Sequence, residues 1–222
     1  MSMVAGLLRA RPRRDQSPGE EVANSVSHGA GLLAAGVGIP VLLVQAARQG
    51  DAIFIAACGL FALTIVLMYL ASTLYHALPA GKAKRVFKVL DHSSIYLLIA
   101  GTYAPFTLGV LRGGWGWTLF GIVWGLAVAG VALKASGKAS NPILSTGVYL
   151  LMGWVVVIAV DPLFARVPTA GLLWLLAGGL CYTGGVAFYV WKSRPYTHAI
   201  WHVFVLAGVA CHFVTVLSIT AG

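Results

Sequence analysis

Two histidines near the carboxyl end, His198 and His202, stand four residues apart at the start of a long apolar segment. Helical residues at this spacing lie on one face, with their Cβ atoms about 5–6 Å apart. Both imidazoles can therefore reach one metal ion, as the histidines of an HxxxH zinc motif do. The pair alone is a common pattern, so its meaning depends on what other segments bring to it.

The composition predicts that these other segments are membrane helices. Hydrophobic residues make up 59% of the 222 residues, and only 9% are charged, whereas soluble domains keep about a quarter of their residues charged. A bilayer-spanning helix needs about 20 apolar residues. Seven stretches qualify: 27–47, 52–76, 90–110, 114–133, 142–160, 167–191 and 197–220.

The fold class that follows is all-α, a polytopic membrane protein with seven transmembrane helices. Only helices and closed barrels satisfy their backbone hydrogen bonds in lipid, and the segments lack the alternation of barrel strands. Residues 20–222 are predicted to form this transmembrane domain. A basic, flexible amino-terminal arm at residues 1–19 precedes it.

Lysine and arginine predict the orientation of the helices. All but three of the 15 Lys and Arg residues fall in the arm and in the second, fourth and sixth connections. Because positive residues accumulate on the cytoplasmic side, the amino terminus is predicted to be cytoplasmic and the carboxyl terminus outside. This role in topology also accounts for the formal charge of +9, so nucleic acid is not an expected partner. The sequence predicts a multi-pass protein of the cell membrane.

Ionisable residues in membrane segments are costly and usually functional. His76 ends the second segment, Asp91 opens the third, and His198 and His202 open the seventh, so all four are predicted to lie at one cytoplasmic depth. Three neutral imidazoles with an open fourth position form the coordination of a catalytic zinc. Asp91 would then act as general base or acid. Ser72, one turn before His76, would orient the site or stabilise an oxyanion.

Each of these residues also has an ordinary explanation. His76 fits an interfacial histidine, and Asp91 fits an N-cap of the third helix. Among the other histidines, His28 lies on the same side as a possible lining residue, and His92 points about 100° away from its neighbour Asp91. His212 lies about 15 Å deeper than the histidine pair, at about 1.5 Å per residue, as a buried hydrogen-bonded histidine or a group that contacts substrate.

Several polar residues outside this group are assigned to caps and loops. Asn24, Ser25 or Ser27 is predicted to cap the first helix, because short polar side chains satisfy free backbone N–H groups there. Asp51 and Asp161 are predicted to lie in outer connections.

Glycines recur within the predicted spans, where small residues let helices approach closely. The GxxxG pair Gly121 and Gly125 is predicted to pack within the bundle. Gly178, Gly179, Gly184 and Gly185 in the sixth segment are predicted to serve the same purpose.

A wider set of motifs carries a family resemblance. The motif residues are Glu20-Glu21, Asn24-Ser25, Ser27-His28-Gly29, Ser72 with His76, the stretch 91–106, and His198 with His202 and His212. This set resembles the bacterial hemolysin III family, which belongs to the progestin and adiponectin receptor group and is similar at its motifs to alkaline ceramidases.

The resemblance implies a seven-helix protein whose zinc is held by His76, His198 and His202. The family's serine and aspartate match Ser72 and Asp91. The relatives imply amide hydrolysis of ceramide-like lipids or a lipid-linked effect on membrane properties.

Three functions stay open at this point. The first is a zinc-dependent hydrolase of lipid amides or esters, with membrane lipids as partners and as substrate. The second is a non-enzymatic regulator of membrane homeostasis, or a cytolysin, with a structural zinc. The third is a channel or proton pathway in which the histidines and Asp91 relay protons.

Overall fold

The computed structural model describes residues 14–137 and 142–220, and within them every regular element is helical. Seven helical stretches of this part are long and apolar enough to cross a membrane. A short 3-10 helix at residues 155–159 joins the helices on either side of it into one span, and a π-helix at residues 105–110 ends the third span. The helices are α1 (Pro18–Arg48), α2 (Ala52–Ala77), α3 (Lys82–Ala104), α4 (Gly114–Ala135), α5 (Pro142–Trp154), α6 (Val160–Arg166), α7 (Thr169–Val190) and α8 (Thr197–Thr220).

The outer surface of the bundle is apolar. Leu33, Leu151 and Phe164 lie on three different helices and have exposed fractions of 77%, 73% and 69%. A soluble protein rarely exposes apolar side chains over so wide a surface, whereas lipid chains solvate them well. The predicted seven-helix, all-α membrane fold is thus confirmed, and the chain is a multi-pass membrane protein.

Helix α2 lies at the centre of one half of the bundle, with Phe61, Ile65 and Met68 buried in the core. It packs between α1 and α3, and α8 packs between α1 and α7. Connected helices run antiparallel, so the end of α2, the early part of α3 and the start of α8 lie at one end of the bundle. We call this end the histidine end, because it carries His76, His198 and His202.

A capping box starts α1 earlier than the sequence predicts. The Ser17 hydroxyl accepts from the Glu20 N–H at 3.3 Å, the Glu20 carboxylate accepts from the Ser17 N–H at 2.9 Å, and Pro18 occupies the first turn. Such a box satisfies two free N–H groups at once. The prediction that Asn24, Ser25 or Ser27 caps this helix is therefore wrong, since all three lie inside it. Of the predicted arm, residues 1–13 lie outside the described residues.

Two of three aspartates differ from the sequence-based assignments, whereas Asp51 lies in a connection as predicted, between α1 and α2. Asp51 is the N-cap of α2, where it accepts from the N–H groups of Ile53 and Phe54 and pairs with Arg112. Asp161 lies within α6 instead of a loop. Asp91 lies well inside α3, so the N-cap explanation for it is wrong.

The glycines divide into packed and open positions. A Cβ on Gly178 would lie 2.3 Å from the His212 ring, and one on Gly185 would lie 2.7 Å from Phe204, so both positions allow α7 and α8 to approach closely. A Cβ built on Gly121 or Gly125 would have no atom of another helix within 4 Å in the described structure. The prediction that this GxxxG pair packs within the bundle is therefore wrong.

The two kinds of glycine on α4 give a matched stability test. A Cβ on Gly116 would lie 2.0 Å from the Thr107 carbonyl oxygen, and overpacking of this kind costs about 1–3 kcal/mol. We expect Gly116→Ala to lower the thermal midpoint of the purified protein. Gly121→Ala gains the same helix propensity without the clash, so its midpoint should hold or rise slightly. Equal midpoints for both variants would contradict the packing described here.

Candidate metal centre

Three histidines converge at the histidine end of the bundle. One nitrogen each of His76, His198 and His202 lies within 4.8 Å of the others. The ring centroids are 4.7 Å apart for the α8 pair, and 5.2 and 5.1 Å separate the His76 ring from those of His198 and His202. One ion with metal–nitrogen bonds of about 2.0–2.1 Å can bridge such nitrogens after small ring rotations. The structure thus brings together the three residues singled out from the sequence.

The hydrogen bonds of His76 leave one nitrogen available to a metal. Its Nδ1–H donates to Oε2 of Glu21 at 2.7 Å, and Lys84 Nζ lies 3.2 Å from the other carboxylate oxygen. Its Nε2 is buried and has no hydrogen-bond partner among the described residues. Because an unpaired buried nitrogen costs about 1–3 kcal/mol, a bound metal ion fits this atom well.

His202 is held in the same tautomer by a different pair of residues. Its Nδ1 lies 3.1 Å from the Asn24 carbonyl oxygen and 3.0 Å from Ser27 Oγ, while the Ser27 hydroxyl donates to the same carbonyl at 2.8 Å. The proton on His202 must therefore sit on Nδ1, which leaves Nε2 as the free ligand atom. Contacts of this kind orient metal-binding histidines and raise their basicity.

Helix α1 therefore supplies the residues that orient two of the three candidate ligands. Glu21, Asn24 and Ser27 follow one another at intervals of three and lie on one helix face. Sequence reasoning assigned Asn24 and Ser27 to a cap and gave Glu21 no role. Their spacing could have indicated this role, because a helix cap does not require polar residues along one face over two turns.

Asp91 and Ser72 lie at the histidine end of the bundle without joining the three-nitrogen cluster. The Asp91 side chain is 14% exposed, and it lines the same cavity as His198 and His202. The Ser72 hydroxyl faces this carboxylate but is buried and forms no hydrogen bond of ordinary geometry within the described structure. A carboxylate next to a histidine cluster and a hydroxyl with an unused donor are groups that can move and donate protons.

The remaining histidines have distinct surroundings. His28 stacks on His202 with ring centroids 3.6 Å apart and planes 4° from parallel, and it lines the cavity without belonging to the cluster. His92 donates from Nδ1 to the Lys88 carbonyl at 2.7 Å. His212 is buried deeper, with Nε2 donating to the Leu175 carbonyl at 3.2 Å, which confirms the prediction of a buried, hydrogen-bonded histidine.

A long, mostly apolar cavity of about 490 Å³ leads away from the histidines. Its lining on the third span extends from Asp91 to Leu111, which is about 30 Å at 1.5 Å per residue. On α8 the lining extends from His198 to His212. The cavity thus joins a polar end beside the histidines to an apolar interior at membrane depth.

The sequence matches the family model described as "Haemolysin-III related" over residues 17–213. The chain belongs to the haemolysin-III family. It is 46% identical over 198 residues to the hemolysin-3 homolog of Bacillus subtilis (strain 168), covering 89% of this chain and 93% of that protein. It is 42% identical over 205 residues to hemolysin-3 of Bacillus cereus, covering 92% and 94%.

The haemolysin-III likeness extends to a human protein. The human monocyte to macrophage differentiation factor is 31% identical over 208 residues, covering 87% of this chain and 82% of its own length. These matches confirm the family that the motifs resemble, and they support a multi-pass protein of the cell membrane.

The contact between Glu21 and His76 yields a prediction on metal affinity. We expect Glu21→Gln to weaken zinc binding by about 10–100-fold, because loss of an orienting carboxylate typically costs that much. Competition with a chromophoric chelator measures the affinity. Asp51→Asn makes the same chemical change at the opposite end of the bundle and should leave the affinity unchanged. Equal affinities for wild type and Glu21→Gln would show that this carboxylate does not support the ligand.

Proposed function

We propose that this haemolysin-III family member is a zinc-dependent membrane hydrolase that cleaves an amide or ester bond in a lipid. The observation that carries the proposal is the position of the three-histidine cluster, which lies with Asp91 at the polar end of a long apolar cavity. A lipid can place its hydrocarbon chain in this cavity and its carbonyl group beside the histidines.

The three histidines would hold zinc through one ring nitrogen each, and in His76 and His202 the contacts of Nδ1 leave Nε2 free for this role. Zinc supplies Lewis acidity toward a carbonyl oxygen and activates water for attack at neutral pH. Three protein ligands with an open position are typical of catalytic zinc sites, whereas structural sites are closed by four protein ligands. The described residues place three ligand atoms in the cluster, which favours the catalytic type.

Asp91 and Ser72 would perform the proton and charge steps. Asp91 takes a proton from the attacking water and gives it to the leaving amine or alcohol, so that one water is consumed for each bond cleaved. The Ser72 hydroxyl donates to the carbonyl oxygen as negative charge develops there. The apolar wall of the cavity keeps bulk water away from the reacting bond.

The distribution of Lys and Arg supports a cytoplasmic position for this site. In the sequence, all but three of the 15 positive residues belong to the arm and to the second, fourth and sixth connections, and such residues accumulate in the cytoplasm. The lipid substrate would then be drawn from the inner leaflet.

The orientation can be tested with a single reactive cysteine placed in the 191–196 connection. This cysteine should resist a membrane-impermeant thiol reagent in intact cells.

Hydrolysis by purified protein tests the proposal. Zinc-loaded protein is mixed with vesicles that contain ceramide or phosphatidylcholine, and released fatty acid is measured by mass spectrometry. We expect release from one class, loss of release on chelation and recovery with added zinc. Release that persists unchanged in Asp91→Asn, or no release from either class, would overturn the proposed chemistry.

Cytolysis is a second candidate, because the two Bacillus relatives carry the name hemolysin. Haemoglobin release from erythrocytes, compared between wild type and Asp91→Asn, separates the two candidates. Lysis that depends on Asp91 would be a result of lipid hydrolysis, whereas lysis retained by the variant would be a separate activity.

A further inference from the structure

Two polar side chains with unused hydrogen-bonding atoms lie deep in the cavity, far from the metal centre. Tyr182 of α7 and His212 of α8 both line the cavity, with ring centroids 5.5 Å apart. The Tyr182 hydroxyl and Nδ1 of His212 are buried and have no hydrogen-bond partner among the described residues. His212 as a whole is only 8% exposed.

Reciprocal packing on glycines fixes both rings. The His212 ring lies against Gly178 of α7, where a Cβ would approach it to 2.3 Å, and the Tyr182 ring lies against Gly208 of α8, where a Cβ would approach to 2.7 Å. Each ring therefore packs directly against the backbone of the facing helix, in space that any residue larger than glycine would fill.

The hydrogen bonds define what the pair can bind. Because Nε2–H of His212 donates to the Leu175 carbonyl at 3.2 Å, Nδ1 is left as an acceptor in the neutral ring. The Tyr182 hydroxyl can donate and accept. The pair thus offers a donor and an acceptor side by side, which matches a hydroxyl group.

Two threonine hydroxyls of the third span that line the cavity are already satisfied within their own helix. Thr102 donates to the Leu98 carbonyl at 2.8 Å, and Thr107 donates to the Tyr103 carbonyl at 2.9 Å. Among the described residues, the buried cavity-lining atoms that lack a partner belong to His28, which stacks on His202 at the metal centre, and to Tyr182 and His212. The pair is therefore a distinct polar position within an apolar wall.

We propose that Tyr182 and His212 form a binding site for a hydroxyl group carried on the hydrocarbon part of a lipid. The site lies about 15 Å deeper than His202, at 1.5 Å per residue along α8. The protein then selects lipids that carry a hydroxyl within the acyl chain over lipids with a plain chain. This inference rests on the proposed occupation of the cavity by lipid, but not on hydrolysis.

Binding of two matched fatty acids tests the site. The probes are a long-chain fatty acid with a hydroxyl near the middle of its chain and the same fatty acid without it, each titrated into purified protein. We expect wild type to bind the hydroxylated acid about three- to tenfold more tightly, the effect of one or two net hydrogen bonds. In Tyr182→Phe the preference should vanish or reverse, because the buried hydroxyl of the ligand loses its partner.

Two further measurements separate ligand binding from a structural role. Thr102→Val also removes a cavity hydroxyl, but one that its own helix already satisfies, so it should keep the preference. Tyr182→Phe removes an unpartnered polar atom, so its thermal midpoint should not fall. Equal binding of both acids by wild type, as expected if only a water occupies the pair, or an unchanged preference in Tyr182→Phe, would overturn the site. Failure of wild type to bind either acid would instead count against the proposed lipid cavity.

Discussion

Asp91→Asn is expected to lower lipid hydrolysis by about 10²–10⁴-fold, the usual contribution of a positioned acid or base. The amide keeps the size and most of the polarity of the carboxylate but cannot take up the proton of the attacking water. Because Asp91 lies outside the three-nitrogen cluster, zinc content should stay at the wild-type level. Rates of fatty acid release, together with elemental analysis of the same samples, measure both quantities.

Asp161→Asn serves as the matched control for this prediction. It makes the same change on α6, away from the histidine end, so both rate and zinc content should match wild type. If Asp91→Asn lost its zinc together with its activity, Asp91 would be part of the metal site. If it lost neither, hydrolysis would not depend on Asp91, and a different group would have to move the proton.

Ser72→Ala is expected to reduce hydrolysis by about 10²–10³-fold, as loss of one oxyanion donor does in other hydrolases. Its effect on stability should have the opposite direction. The Ser72 hydroxyl is buried without a hydrogen-bond partner in the described structure, so its removal relieves an unsatisfied polar group. The thermal midpoint should therefore hold or rise while the rate falls, and a structural serine would not show this combination.

Thr73→Val is the control for Ser72→Ala. Thr73 also carries a buried hydroxyl oxygen without a partner among the described residues, but it points about 100° away around α2. It should keep the wild-type rate. Equal losses of activity in the two variants would assign the effect to helix packing.

Much of the fold and of the ligand set could be predicted from the sequence. The apolar segments set the helices, because in lipid a long apolar stretch has few alternatives to a helix. The charge distribution placed His76 at the same end as His198 and His202, since antiparallel neighbours fix which segment ends meet. Agreement between these two independent patterns made the three-histidine cluster predictable.

The features that were predicted wrongly depended on which neighbour each helix face contacts. The pattern of a single sequence does not determine these contacts. Asn24 and Ser27 were assigned to a cap of the first helix, but the capping box at Ser17 starts α1 earlier and leaves both inside the helix, where they contact His76 and His202. The GxxxG pair at Gly121 and Gly125 had the pattern of a packed face and lies open. In both cases the residues lie in a helix, as their pattern predicts. Their role depends on whether a neighbouring helix packs against them.

Zinc content of the purified wild-type protein, measured beside the His198→Ala/His202→Ala double variant, tests the metal centre most directly. Both proteins are expressed with added zinc, purified in detergent and analysed for metal per chain. The described geometry predicts close to one zinc per chain in wild type and almost none in the double variant. Wild type without zinc, or equal zinc in both proteins, would contradict a metal centre formed by these histidines.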